Sequence, residues 1–201
     1  MGDREAGESY YSEKELSQIG LKRYGKNVLL SKKASIYGRE NVEIGNNVRI
    51  DDFSLISGRV KIGNWVHIAA YSALYAGGYY IILEDFVTIS SRNAVYAESD
   101  DYSGASLSNP LVSSKFRKTY GSDVIFEKHV LLGTGCTVLP GVKLMEGASI
   151  GAMSLVNRDL EAWTVYAGIP VQEIRKRDRN ILKLEQELLN TNGDMKWRNR
   201  F

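Results

Sequence analysis

The stretch VEIGNNVRIDDFSLISGRVKIGNWVHIAAYSAL, residues 42–74, decides the fold. Every sixth residue from Ile44 is a long aliphatic: Ile44, Ile50, Ile56, Ile62, Ile68 and Leu74. The same beat resumes at Leu83, Ile89 and Val95. It resumes again at Phe126, Leu132, Val138, Leu144, Ile150 and Val156. Four places after most of these anchors stands a small or β-branched residue: Val48, Ser54, Val60, Val66, Ser72 and Val87, then Val130, Cys136, Val142, Ala148 and Ser154. Glycine often follows the anchor directly, as at Gly45, Gly63, Gly133 and Gly151.

A repeat of six fits one physical arrangement. Three short strands of one hexad each make a triangular coil of about 18 residues. The anchor points inward and stacks on its equivalent one coil away, and the small residue sits where the interior narrows. Glycine or asparagine near the corner accepts the backbone angles of a sharp turn. An amphipathic helix would repeat near 3.6 residues, and a sandwich or meander would alternate with period two. The pattern is that of a mainly β protein, a left-handed parallel β-helix of hexapeptide repeats with a long inserted loop and a C-terminal α-helix.

Three segments follow. Residues 1–27 form an N-terminal cap, in which Ser12–Glu15 (SEKE) reads as a capping box, with Leu16 and Ile19 behind it and Gly20 as a stop. The β-helix occupies 28–156. Residues 157–201 form a C-terminal segment in which a run from Pro170, with Ile174, Ile181, Leu182, Leu184, Leu188 and Leu189, predicts a helix ending near Gly193. The β-helix is interrupted twice. Around Tyr75–Ile82 (YAGGYYII) the register slips by three, and about 96–125 form a long insertion that a regular coil does not need.

Composition excludes several classes of function. The formal charge is +2, which gives no electrostatic case for nucleic acid or a membrane surface. No apolar run reaches the roughly 18 residues of a membrane span. Met1–Tyr11 is polar and acidic, unlike a secretory signal. The single cysteine, Cys136, has no intrachain partner, so a reducing cytoplasm is expected. Gly20–Asn27 (GLKRYGKN) approaches a phosphate-binding loop, but Asn27 stands where Ser or Thr would hold magnesium, and no strand precedes it. The two histidines, His67 and His129, occupy non-matching registers at places expected to face outward. They do not supply the three ligands of a zinc site, so no metal is expected.

Chemistry concentrates at the interruptions. The long loop opens with Tyr96, Glu98, Ser99, Asp100, Asp101, Tyr102 and Ser103. Adjacent carboxylates can simply solvate a turn; they can also orient or deprotonate a nucleophile. The phenols Tyr75, Tyr79, Tyr80, Tyr96 and Tyr102 suit packing or stacking on a base or sugar face. His67 is the better functional candidate of the two histidines, because its coil adjoins the tyrosine-rich slip. Near the C-terminus, Arg158, Arg175, Lys176, Arg177 and Arg179 gather positive charge suited to phosphates.

The stretch VLLGTGCTVLPGVKLMEGASIGAMSLVNRDLEAWTVYAGIPVQEIR, 130–175, resembles the C-terminal half of hexapeptide acyltransferases, among them the galactoside, maltose and serine acetyltransferases. More narrowly, YSEKELSQIG, SIYGRENVEIGNNVRIDDF and YAESDDYSG resemble enzymes that N-acylate nucleotide-linked aminodeoxysugars such as dTDP-4-amino-4,6-dideoxyglucose. The resemblance covers about residues 24–177. It implies a homotrimer that binds acetyl-CoA or another acyl-CoA in the groove between neighbouring prisms. Cofactor contacts then fall on Thr134, Ala152, Asn157 and Arg158, with Arg175 near the 3′-phosphate; Gln172 stands where the galactoside enzymes have a further basic residue.

Galactoside and maltose enzymes carry a catalytic histidine where this chain has Asp100. A sugar hydroxyl needs a good base, whereas a neutral amine is already nucleophilic. The resemblance therefore implies an amino-sugar acceptor. Asp100 or Asp101 is then the catalytic carboxylate, with His67 as the alternative, and Glu98, Tyr75, Arg92 and Tyr102 are acceptor-binding residues. An O-acetyltransferase of saccharide hydroxyls and a non-catalytic scaffold are the other readings. A scaffold needs neither the basic C-terminal end nor the loop.

Overall fold

A computed structural model describes residues 9–191. Its strands lie on three faces of a triangular prism. The first face runs through Val28–Leu30, Val48–Ile50, His67–Ile68, Thr88–Ile89, Leu131–Leu132, Ser149–Ile150 and Thr164–Ala167, all parallel. The second runs through Ser35–Tyr37, Leu55–Ser57, Ala73–Tyr75, Ala94–Tyr96, Thr137–Val138 and Leu155–Val156. The third pairs Arg23–Tyr24 with Val42–Ile44, then the far ends of Leu55–Ile62 and Ala73–Leu83, then Val124–Phe126 and Lys143–Leu144. Coil pairing thus runs past both ends of 28–156, from Arg23 to Ala167.

The anchors are the core. All fifteen are buried, from Ile44 at 3% exposure to Val156 at 0%, and so are the eleven small or β-branched residues four places on. Ile44 pairs with Ile62, Ile62 with Leu83, Leu83 with Phe126 and Phe126 with Leu144. The separations read from those pairs are 18, 21, 43 and 18 residues, so both interruptions are absorbed without breaking the stack. Burying each such aliphatic contributes about 1.5–3 kcal/mol.

Two of the three corners depart from the expected glycine or asparagine. Between the third and first faces the left-handed position is held by Asn27, Asn47 and Gly147 but also by Trp65, Phe86, His129 and Trp163, with φ from 53 to 69°. Between the first and second faces it is held by Gly135 but also by Phe53, Tyr71, Arg92 and Met153. Bulky residues are disfavoured at such angles; here ring stacking from coil to coil offsets the cost. Trp65 and Phe86 lie 5.9 Å apart at 3°, Phe86 and His129 5.1 Å at 23°, and Phe53 and Tyr71 5.0 Å at 22°.

His129 does not face outward as expected. It is buried in this ladder, and its Nε2 lies 2.8 Å from Glu185 Oε2 on the helix Asn180–Asn190. That helix begins ten residues later than Pro170. Gln172–Lys176 instead forms a strand antiparallel to Thr164–Ala167, because the last parallel strand would otherwise leave an open edge. The expected helix end near Gly193 lies outside the described residues. At the other end, Tyr10 bridges Ser31 antiparallel and Leu16 plugs the core. The capping box is present: Ser12 N–H donates to Glu15 Oε2 at 2.7 Å, and Glu15 N–H to Ser12 Oγ at 3.3 Å. A helix of one turn, Glu13–Leu16, follows it, and Gly20 takes φ 81°.

Ile150 is 2% exposed and paired with Leu132 below and Tyr166 above. Ile150→Asp should cost at least about 3 kcal/mol, from lost apolar contact and a buried charge. Thermal denaturation should fall by roughly 6–12 °C; an unchanged midpoint would contradict the assigned register.

Candidate active site

The two interruptions meet at the third corner, between the second and third faces. Ala73–Leu83 runs straight across it as a single strand, with register shifts against Ser57–Arg59. Ala94–Tyr96 pairs with the start of that strand and Val124–Phe126 with its end, so residues 97–123 emerge where a turn would stand. The insertion opens as a hairpin, not an unstructured loop: Glu98–Asp100 pairs antiparallel with Thr119–Gly121.

Carboxylates clamp this hairpin to the slipped strand. Gly78 N–H donates to Glu98 Oε2 at 2.8 Å, and Tyr80 N–H to Asp123 Oδ1 at 2.8 Å. The hydrogen bond from the Thr119 hydroxyl, then the one from Gly78 N–H, hold the Glu98 carboxyl below the usual range against the effect of burial. Gly77, at φ 56°, must lack a side chain, because a Cβ would collide with the Glu98 carboxylate. Tyr75 and Tyr96 stack at 5.0 Å on the outer surface of the second face. Tyr79 packs on the core and against Gly121, and Lys61 caps the Tyr80 ring at 4.7 Å. Tyr102 is 94% exposed.

The two aspartates differ. Asp101 accepts from Ser103 N–H and Oγ at 2.8 and 2.6 Å, and from Ser106 N–H and Oγ, both at 2.9 Å. These bonds, the Ser103 hydroxyl foremost, lower its pKa to about 2 and commit both oxygens to the loop. Asp100 is exposed at the end of its strand.

The corner between the first and second faces holds Thr134 and Ala152, two of the residues expected to meet the acyl donor. Asp52, Ala70, Ser91, Thr134 and Ala152 follow one another up this corner, linked by Tyr71 N–H to Asp52 O, Arg92 N–H to Ala70 O, Gly135 N–H to Ser91 O and Met153 N–H to Thr134 O. Thr134 Oγ1 lies 3.0 Å from Ser91 Oγ and donates to Ser91 O at 2.6 Å. Asn157 and Arg158 follow the last strand of the second face and so lie at the corner between the second and third faces, while Arg175 lies on the antiparallel strand that closes the first face. Arg158 and Arg175 are exposed and make no ion pair among the described residues, which fits a role toward phosphates. The rest of the basic cluster does not join them. Arg177 is half-buried and donates to His129 O and Gly147 O, Lys176 pairs with Glu173, and Arg179 lies over Trp163.

His67 stands apart, on the outer surface of the first face. Its Nε2 lies 2.8 Å from Asp51 Oδ2, while Arg49 Nε donates to Asp51 Oδ1 at 2.6 Å and Tyr10 OH to the same oxygen at 3.2 Å. Burial acts to raise the Asp51 pKa; the His67 and Arg49 contacts outweigh it, and the carboxyl stays below its ordinary value. Within one chain His67 shares a coil with Tyr75 but not a face. Cys136 lies in the interior, where burial raises its thiol pKa. Ser91 escaped the sequence reading; its place in the corner column below Thr134 was the available signal.

A prism of hexads, a hairpin over one corner and exposed arginines at the C-terminal end of the prism define an acyltransferase of the hexapeptide-repeat, left-handed β-helix class. Residues 41–75 match the family described as bacterial transferase hexapeptide (six repeats). The chain is 44% identical over 180 residues to the dTDP-4-amino-4,6-dideoxy-D-glucose acyltransferase of Escherichia coli, covering 88% of this chain and 93% of that one. It belongs to the hexapeptide acyltransferase family that contains that enzyme. It is also similar to AntD, an N-acyltransferase from Bacillus cereus whose structure holds dTDP and 3-hydroxybutyryl-CoA: 47% identity, TM-score 0.90, 92% of this chain and 99% of that one. A putative lipopolysaccharide-biosynthesis O-acetyl transferase of Escherichia coli K12 is 30% identical over 146 residues, 71% of this chain and 72% of that one.

The Asp101 bonds carry a pH dependence. A carboxyl whose folded pKa is depressed orders its loop above the unfolded value, 3.8, and releases it as pH falls toward about 2. Amide exchange at Ser103 and Ser106 should stay slow down to about pH 4 and quicken below it, once corrected for intrinsic rates. In Asp101→Asn it should be fast throughout.

Proposed function

We propose that this protein transfers an acyl group from acyl-CoA to the amine of a nucleotide-linked amino-dideoxysugar, such as dTDP-4-amino-4,6-dideoxyglucose. It does so as a homotrimer in the cytoplasm. The observation that carries the reading is the placement of an exposed aspartate, Asp100, on the hairpin where the galactoside-type enzymes carry histidine, in a chain matched over 88 and 92% of its length by a dTDP-amino-sugar acyltransferase and an N-acyltransferase. No helix among the described residues is long and apolar enough to cross a membrane.

The acyl donor is a thioester, which an amine attacks directly. Arg158 and Arg175 bind its phosphates, the small side chains of Thr134 and Ala152 leave their corner open to the pantetheine arm, and Asn157 contacts the donor from the far end of the Leu155–Val156 strand. Asp100 holds the acceptor amine toward the thioester carbonyl, and the Tyr75–Tyr96 stack offers a flat wall to the sugar. A carboxylate, with a reference pKa of about 4, is a weak base. Its role is therefore orientation and electrostatic attraction, and the departing thiolate collects the proton. A backbone N–H of a neighbouring coil supports the oxyanion. Cys136, in the interior, forms no acyl-enzyme, so the kinetics are sequential.

AntD variants altered singly at a serine and at an aspartate ten positions further on have been crystallised with dTDP or the amino sugar and coenzyme A. Ser90 with Asp100, and Ser91 with Asp101, reproduce that spacing here. The commitment of both Asp101 oxygens to its own loop favours Asp100 as the working carboxylate, with Asp101 and Glu98 shaping the hairpin that carries it.

An acceptor screen with acetyl-CoA tests the reading. Nucleotide-linked amino sugars should be acylated and plain sugars should not; acylation of saccharide hydroxyls alone would overturn it. Asp100→Asn should lower turnover and weaken acceptor binding while acyl-CoA still binds. Arg158→Ala or Arg175→Ala should raise the KM for acyl-CoA about tenfold or more, the effect of one charge-assisted contact, and leave that for the acceptor nearly unchanged. Light scattering should give a trimer.

A further inference from the structure

The corner between the first and second faces is a turn of four residues whose last residue lies inside the prism. In successive coils that interior column is Ser54, Ser72, Asn93, Cys136 and Ser154, all buried. Asn93 is the exception: a full amide stands where the other coils place a single hydroxyl or thiol. A buried amide is costly unless both of its ends are bonded.

Its bonds also depart from the pattern of the column. Ser54, Ser72 and Cys136 each donate upward to the carbonyl that opens the next coil's turn, at 3.3 Å to Ala69 O, 2.8 Å to Ser90 O and 3.2 Å to Gly151 O. Ser154, in the last coil of the column, turns back to Gly151 O of its own turn. Asn93 has a coil above it and still turns back. Its Nδ2 donates to Ser90 O at 2.6 Å, while its Oδ1 accepts from Cys136 N–H at 2.7 Å. A serine here would serve the interior as Ser72 does, which accepts from the next coil's Asn93 N–H at 3.3 Å and donates upward. What asparagine adds is the second interior bond to Ser90 O.

The outer side of this turn is Ser90, Ser91 and Arg92. Thr134 donates its one hydroxyl proton to Ser91 O, so the 3.0 Å contact between the two hydroxyls is a donation from Ser91 to Thr134. The lone pairs of Ser91 are thereby left to an N–H of a bound reactant, beside a residue expected to meet the acyl donor. Both serines that stand ten places before an aspartate of the hairpin belong to the turn that Asn93 holds.

We propose that Asn93 is a positioning residue for acyl transfer. Its amide, fastened between Ser90 O and Cys136 N–H, fixes the Ser90–Ser91 turn and so the direction of the Ser91–Thr134 hydroxyl pair. It touches neither reactant. This rests on the acyl-transfer reading above and adds what aligns its serine turn.

The test compares Asn93→Ser and Asn93→Asp with Ser54→Ala, which removes a bond from the same column in a coil that carries neither serine. Turnover is measured well below each thermal midpoint, and coenzyme A affinity by separate titration. Ser54→Ala should keep full turnover. Asn93→Ser keeps a partner for Cys136 N–H and loses the bond to Ser90 O; its kcat should fall about tenfold, the worth of one buried hydrogen bond, with coenzyme A affinity unchanged. Asn93→Asp has no proton for Ser90 O as a carboxylate and regains one as an acid. Its kcat, as a ratio to the unaltered chain at the same pH, should be low at about pH 8 and recover as pH falls through the raised pKa of a buried acid. The Cys136 thiol one coil above is pushed up by burial, out of that range. Unchanged turnover in Asn93→Ser, or a ratio for Asn93→Asp that does not move with pH, would overturn the proposal. So would an equal loss in Ser54→Ala, which would make the column merely structural. An unaltered protein that acylates no sugar nucleotide would instead refute the acyl-transfer reading, and the alignment with it.

Discussion

Everything in this molecule depends on the vertical stacking of one buried aliphatic on the next. In the stack Ile50–Ile68–Ile89–Leu132–Ile150–Tyr166, each side chain is covered above and below by its equivalent, and the stack tolerates a gap of 43 residues between Ile89 and Leu132 without losing a place. The backbone hydrogen bonds between coils follow from that register. The corners, in turn, are free to vary, because the interior alone fixes where each coil lies. This is why a hairpin can leave one corner and aromatic ladders can occupy the other two.

The chemistry is built on this freedom. The hairpin is positioned by Glu98 and Asp123, which reach back to the backbone of Gly78 and Tyr80 on the preceding coil. Asp101 folds the loop on itself, and Asp100 is left exposed. Rigid coils set the height of every candidate residue on the prism axis, and short polar clamps set its direction. Neighbouring carboxylates thereby take different roles, one as a turn-former and one presented to solvent.

What was legible in the sequence was whatever repeats. The fifteen anchors, their small companions, the slip of three and the capping box at Ser12 are local or periodic, and the structure has them all where the spacing put them. Contacts between distant residues were less legible. His129 occupies a corner position that ordinarily faces solvent, and only the packing of a helix more than fifty residues on buries it. The strand Gln172–Lys176 carries apolar residues at a spacing that also fits a helix; the need of an open sheet edge for a partner decided otherwise. The basic cluster scattered for the same reason, since Arg177 satisfies backbone carbonyls of two coils while Arg158 and Arg175 remain outward. Which carboxylate of the loop is committed to structure could be seen only once the Ser103 and Ser106 partners of Asp101 were in place.

The antiparallel ends of the prism have a further consequence. A stack of parallel coils has no intrinsic length: any terminal coil offers the next chain the same edge that the previous coil offered it. Here Gln172–Lys176 runs against the grain of the first face at one end, and Tyr10 bridges Ser31 antiparallel at the other. A reversed strand with exposed Glu173, Arg175 and Lys176 cannot be continued by a parallel hexad. The first face thereby offers a further coil no free parallel edge at either end.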